Sequence, residues 1–386
     1  MFSVLLLIIY LSFISLGLPD GLLGAAWPLM SPQMRVPLSW MGLISFTISM
    51  GTVVSSLLSD RLTRRFGTGR VMVCSVATTA LALLGFSLSP SFPVLWLWAI
   101  PYGLGGGAVD AALNNFVALH YASRHMSWLH CMWGVGACTG PYILSWVLTR
   151  GWNWPVGYRM VFGLQVILTL ILFLSLPLWK RQRNQDAPAH EAERPPMGLR
   201  EIFGITGARE MFLAFFCFSA LEQTTGLWTC SYLVHHLGLG EAEAAALAGF
   251  FFFGITLGRG LSGFLTMKVS DKNMIRLGQC IVTLGIGIML LSVHVKVSMA
   301  GVLLVGFGSS PIYPCIIHST PEHFGRENSQ AMIGVQMASA YLGSCFMPPI
   351  FGLLAQHVSL GLFPVILGAY TLVMILFTEK VNRLTA

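Results

Sequence analysis

The sequence predicts an all-α integral membrane protein, with twelve transmembrane helices arranged as two pseudo-symmetric six-helix bundles. Three observations lead there. Of 386 residues, 55% are apolar and only 10% are charged, against roughly 25% charged in a soluble globular protein. The apolar residues fall into about twelve stretches, each near the ~20 residues that a spanning helix needs. Short motifs also recur between the two halves at nearly constant spacing.

In chain order the expected spans are 4–30, 40–59, 70–89, 93–118, 126–149, 157–178, 208–235, 243–266, 274–294, 298–319, 329–356 and 360–378. The first run lacks a basic leading segment and a small-x-small cleavage site, so it reads as a span rather than a secretory leader. Most of the 22 Lys and Arg residues fall in alternate loops, among them Arg61, Arg64, Arg65, Lys180, Arg181, Arg183, Lys268, Lys272 and Arg326. Positive charge collects on the cytoplasmic side, which predicts that both termini lie in the cytoplasm and that the protein sits in the cell (inner) membrane. Residues 1–178 and 208–386 are the expected bundles, and 179–207 the linker. Within that linker, Gly198-Leu-Arg-Glu-Ile-Phe reads as a short interfacial helix.

The repeat supports the division. Asp20 and Gly24 correspond to Glu222 and Gly226 at an offset of 202. Gly103-Leu-Gly105 corresponds to Gly306-Phe-Gly308 at 203, and Gly136 with Pro141 to Gly343 with Pro348 at 207. Three matches in the same order imply two equivalent halves, an architecture that in transporters places the site at the repeat interface.

Several functions are excluded. The net charge of +7 could suggest nucleic acid, but the basic residues sit in short loops rather than on one solvated face. The eight cysteines form no C-x-x-C pair, and metal-ligand clusters are absent. Gly103-Leu-Gly-Gly-Gly-Ala108 matches a dinucleotide fingerprint in letters only, because it lies inside an apolar span and not in a βαβ unit. No zinc-protease, nucleophile-elbow or phosphate-loop motif occurs. The expectation is a carrier and not an enzyme, with no cofactor and no metal.

Three carboxylates lie deep in predicted spans: Asp20, Asp110 and Glu222. Each costs about 2.5–3.5 kcal/mol at mid-membrane on insertion scales. Arg259 is the only Lys or Arg well inside a span, so it can neutralise one acid at most. The others must be protonated, solvated or bound to a cation, which makes ion coupling their expected role, with the proton as coupling ion and sodium as the alternative. Asp20 could instead cap a broken helix, and Arg259 could only snorkel. A neutral polyhydroxylated solute needs apolar faces and amide groups. The candidate contacts are Asn114, Gln223, Trp228, Trp27, Tyr313, Gln336 and Trp133, with Tyr102 and Trp128 also near. His130 reads as a hydrogen-bonded structural residue.

The loop Asp60-Arg61-Leu-Thr-Arg64-Arg65-Phe-Gly67 resembles the signature of the major facilitator superfamily, with Ser56 standing where the family has its leading glycine. That resemblance implies a gating role for Asp60, Arg61, Arg64 and Arg65 through charge-assisted contacts that break during the cycle, and Arg259, from its place inside a span, is a further candidate for pairing or gating. Within the superfamily, Asp20-Gly21 with Gly24, His130 before Gly134-Val-Gly136 and Gly140-Pro141, Gly254 to Arg259, and Pro311-Ile-Tyr-Pro314 resemble the fucose–galactose–glucose:proton symporters and the sodium-dependent glucose transporter-like group. By that resemblance Asp20 and Asp110 are the coupling and sugar-binding acids. The implied protein is a monomeric symporter of a monosaccharide or similar small polar solute. The rivals are sodium-coupled sugar uptake, a proton-coupled exporter of amphipathic compounds, and a membrane sensor without turnover.

Overall fold

The computed structural model describes residues 4–121, 123–183, 199–291, 294–325 and 328–385. Among them there is no strand. The helices are α1 Val4–Gly17, α2 Leu22–Gln33, α3 Met41–Phe66, α4 Thr68–Leu88, α5 Phe92–His120, α6 Ser123–Thr149, α7 Trp154–Arg183 and α8 Leu199–Ile202. They continue with α9 Ala208–His235, α10 Glu241–Leu265, α11 Asp271–Leu291, α12 Val295–Ser309, α13 Ile312–His318, α14 Thr320–Phe324, α15 Ser329–His357 and α16 Phe363–Leu384. Most of the linker, 184–198, lies outside the described residues, and the short helix α8 stands within the stretch expected as an interfacial helix.

Eleven segments among the described residues are long and apolar enough to cross a membrane. The twelfth expected span, α9, is 28 residues long, about 42 Å at 1.5 Å per residue. It is missing from the eleven because Glu222, Gln223, Thr224, Thr225 and Thr229 dilute its hydropathy. Length supports spanning.

Two expected spans are interrupted, each by a proline that removes a main-chain donor. The first span divides into α1 and α2 at Leu18-Pro19-Asp20-Gly21. Pro19 leaves the Ser15 carbonyl without its helical donor, and the Gln165 side chain supplies the replacement: Gln165 Nε2 donates to the Ser15 carbonyl at 2.7 Å. Ser15 Oγ donates in return to Gln165 Oε1 at 2.6 Å. This clasp ties α1 to α7 and satisfies a backbone group that lipid could not. The span expected over 298–319 is present as Val295–His318, broken within into α12 and α13. Pro311 frees the Phe307 carbonyl, which accepts from Ser310 Oγ at 2.7 Å.

The helices form two compact units. The first contains residues 1–189 and 230–252, the second 190–229 and 253–386, so the chain does not divide at a single point. The segment 230–252 joins the first unit through contacts of its own. Cys230 Sγ approaches the Ala25 carbonyl at 3.3 Å, Cys138 Sγ the Gly249 carbonyl at 3.6 Å, and the Trp133 and Phe252 rings meet edge to face at 6.3 Å.

Within the first unit α3 and α5 pack backbone to backbone. A Cβ on Gly103 would strike the Ile48 carbonyl, and one on Gly51 would press on Gly103. The seam is hydrogen-bonded as well as close. Thr52, Ser56 and Ser59 donate hydroxyls to the carbonyls of Gly103, Gly107 and Ala108 at 3.0–3.3 Å. The second unit repeats the seam between α10 and α12, where Gly254 meets Leu303 and Gly306. Small residues permit this approach.

Candidate functional site

Asp20 lies near the middle of the 30-residue stretch Val4–Gln33, in the turn that Pro19 and Gly21 create. Its side chain is exposed in spite of that depth. Trp133 Nε1 of α6 donates to Oδ2 at 2.7 Å, and the Tyr102 hydroxyl of α5 reaches Oδ1 at 3.5 Å. Each carboxylate oxygen therefore faces one neutral donor. Gly17 and Gly136 allow this convergence, since a Cβ on either would collide with backbone of the opposite helix.

Asp110 sits two turns further along α5 and interacts electrostatically with Asp20. Its partner is one turn away: Asn114 Nδ2 donates to Asp110 Oδ1 at 2.9 Å and to the Asp110 carbonyl at 3.0 Å. Both amide hydrogens are thus spent on Asp110. Asn114 Oδ1 remains buried without a hydrogen-bond partner. Among the described residues no Lys or Arg pairs with either acid.

The second unit treats its acid differently. Glu222 Oε1 of α9 accepts from Arg259 Nη2 of α10 at 3.4 Å, with both side chains about 85% buried (15% and 14% exposed). The basic residue expected inside a span has been brought to one of the three acids. Gln223 beside it is exposed.

The other expected site residues divide by environment. Trp133 holds Asp20. Trp228 is fully buried, donates to the Pro348 carbonyl at 3.0 Å and packs on Phe351. Trp27 is equally buried and donates to the Leu38 carbonyl at 2.8 Å. Both indoles serve packing here, and their expected solute contacts find no open face. Thr225 and Thr229 similarly turn back on their own helix, donating to carbonyls four residues earlier. Tyr313 is partly buried among Phe215 and Phe218, with its hydroxyl on Met337 Sδ at 3.0 Å. Gln336 accepts from Thr320 Oγ1 at 3.0 Å, and its Nε2 is buried without a partner.

Of the expected gating residues, Arg65 is exposed with its guanidinium 5.4 Å from the Phe66 ring. The side chains of Asp60, Arg61 and Arg64 lie outside the described residues. His130 stacks edge-on against Phe13 at 5.7 Å. Among the described residues no three His, Cys, Asp or Glu groups could hold a metal ion.

Two residues were not anticipated. Gln165 was signalled only indirectly, because a proline in a span leaves a carbonyl in need of a donor. Tyr158, buried in α7 beside Phe86 and Trp154, has a hydroxyl without a hydrogen-bond partner, and no local motif marks it.

Membrane-length helices, with two mid-span acids beside neutral donors and a third beside Arg259, describe a multi-pass integral membrane protein. The Major Facilitator Superfamily model matches residues 9–239 and 211–383; the chain belongs to that family and is a transporter, not an enzyme. Relatives include the glucose/mannose transporter GlcP of Bacillus subtilis (strain 168), 21% identical, covering 79% of this chain and 77% of that one. The sodium-dependent glucose transporter 1A of Mus musculus is 24% identical over 69% of this chain and 70% of its own. The cis,cis-muconate transport protein of Acinetobacter baylyi is 26% identical, with 84% and 80% covered. The peptide transporter POT superposes with a TM-score of 0.74 over 99% of this chain and 95% of its own, at 12% identity. That likeness extends to the fold.

Proposed function

We propose that the chain is a proton-coupled symporter that imports a monosaccharide or similar neutral polar solute by alternating access, with both termini in the cytoplasm of the cell membrane. One observation carries the reading. Asp20 is an exposed mid-span carboxylate whose two hydrogen-bond donors, Trp133 and Tyr102, are neutral. A carboxylate so placed can gain and lose a proton without breaking an ion pair, which suits a coupling group. Asp110 is the second exchangeable acid, and the free Oδ1 of Asn114 beside it is a ready acceptor for a solute hydroxyl. The glucose transporters among the relatives support a sugar.

The muconate relative raises an anionic cargo as the rival. An anion would need a cation, and Arg259 is engaged by Glu222. A neutral solute fits better.

The experiment is uptake into proteoliposomes of labelled D-glucose, D-mannose and cis,cis-muconate under imposed proton or sodium gradients. Saturable sugar accumulation driven by protons, and lost in Asp110→Asn, is the expected result. Accumulation driven by sodium alone replaces the coupling ion; muconate uptake in place of sugar replaces the cargo. Absence of sugar accumulation under either gradient overturns the reading.

A further inference from the structure

A hydroxyl enclosed by protein must find a partner or forfeit on the order of 1–3 kcal/mol. Tyr158 is 2% exposed, and its hydroxyl has no hydrogen-bond partner. It is not isolated from the first unit's acid. Tyr158 and Tyr102 flank the same ring, Phe86, at centroid distances of 5.5 Å and 6.0 Å, and the two tyrosines interact electrostatically. Tyr102 is in turn the donor that reaches Asp20 Oδ1. At 3.5 Å that bond is long, and the apolar packing on Phe86 does not orient the Tyr102 hydroxyl.

We infer that Tyr158 is a positioning residue for the coupling carboxylate: it holds an ordered water against the Tyr102 hydroxyl, so that Tyr102 directs its proton to Asp20. The water accepts from Tyr158 and donates to the oxygen of Tyr102, leaving the Tyr102 hydrogen free for the carboxylate. Ordered water is retained in protein interiors where it satisfies a buried polar group that lacks a protein partner. The outer anchor of the assembly is Trp154, which meets Tyr158 edge to face at 5.7 Å and donates to Gln33 Oε1 at 2.6 Å. Tyr158 therefore stands on a rigid aromatic block between α2, α4, α5 and α7.

This inference rests on reading Asp20 as the coupling group, and its test separates the two. The purified full-length protein is titrated in detergent while the infrared band of protonated carboxyl groups is followed; no solute is needed. Asp20→Asn identifies the Asp20 contribution by difference. In Tyr158→Phe, which keeps the ring and its packing, the Asp20 midpoint is expected to move to higher pH by about half a unit or more, as for one weakened hydrogen bond to a carboxylate. Tyr102→Phe should move it at least as far, and the double variant no further than Tyr102→Phe alone. An unshifted midpoint in Tyr158→Phe, with Tyr102→Phe shifted, overturns the inference and leaves the role of Asp20 standing. A band unchanged in Asp20→Asn over the whole titration removes the underlying reading and the inference with it. If Tyr158→Phe instead raises the KM for labelled D-glucose at an unshifted midpoint, the hydroxyl serves the solute and the inference is likewise overturned.

Discussion

The two units share their packing and differ in their charge. Gly51 on Gly103 in the first is matched by Gly254 on Gly306 in the second, both pairs separated by 203 residues. Gly105 against Ser75 and Thr79 is matched at that same offset by Gly308 against Gly278 and Val282. Gly136 meets the Ile14 carbonyl as Gly343 meets that of Phe216. At the polar positions the likeness stops. Ser56, which donates to a carbonyl in the first unit, corresponds at this offset to Arg259, which pairs with Glu222. Asp110 corresponds to Tyr313. One unit thus keeps acids beside neutral donors, while the other carries an acid with its counter-charge. The comparison teaches that the seams preserve the scaffold, while the residues beside them set acids with neutral donors in one unit and an acid with its counter-charge in the other.

The largest expected effect breaks this contrast directly. Asp20→Asn should reduce gradient-driven accumulation of labelled D-glucose in vesicles to simple equilibration while counterflow persists, because only the ion-linked step is lost. In the second unit, Glu222→Gln takes the carboxylate away from the buried guanidinium of Arg259. Its cost should be about 3–5 kcal/mol, visible as a fall in detergent melting temperature, and Glu222→Gln with Arg259→Met should recover most of it. If the single variant melts like the wild type, the pair is not the fixed charge described here. Gln165→Leu removes both bonds of the clasp on Ser15 and should cost about 1–3 kcal/mol by the same measurement. Gly136→Ala and Gly343→Ala sharpen the likeness: each should destabilise by about 1–3 kcal/mol, and a loss confined to one unit would show that the repeat is not energetically equivalent.

The smallest effect concerns His323 in α14. Its Nδ1 lies 2.7 Å from Thr385 Oγ1, and because that hydroxyl donates to the Val381 carbonyl, the histidine is the donor. Burial holds its pKa below the ordinary 6.5, against the opposing pull of Glu322 and Asp271. The unfolded chain takes up this proton more readily than the folded one, so the contribution is whole above pH ~6.5 and declines below it. His323→Gln should flatten the acid side of the melting curve slightly.

Much of the fold was legible because lipid leaves few options: long apolar runs, alternating loop charge and recurring glycines all follow from it. The interruptions at Ser310-Pro311 and the grouping of 230–252 with the first unit were not, since both depend on which carbonyls and small residues meet across helices. For the site, rarity exposed Asp20, Asp110, Glu222 and Arg259. Their partners were another matter. Trp133 is 113 residues from Asp20 and Tyr102 is 82 away, so spacing carries no trace of the contact. Trp27 and Trp228 look identical to Trp133 as letters, and only burial and hydrogen-bond partners set them apart.

The clasp between Ser15 and Gln165 has one more consequence. Because the carbonyl released by Pro19 is held by a side chain, the first span can be broken at mid-depth without leaving that group bare to lipid. The joint carries its own ligament, and Asp20 is mounted on it within reach of the Trp133 indole.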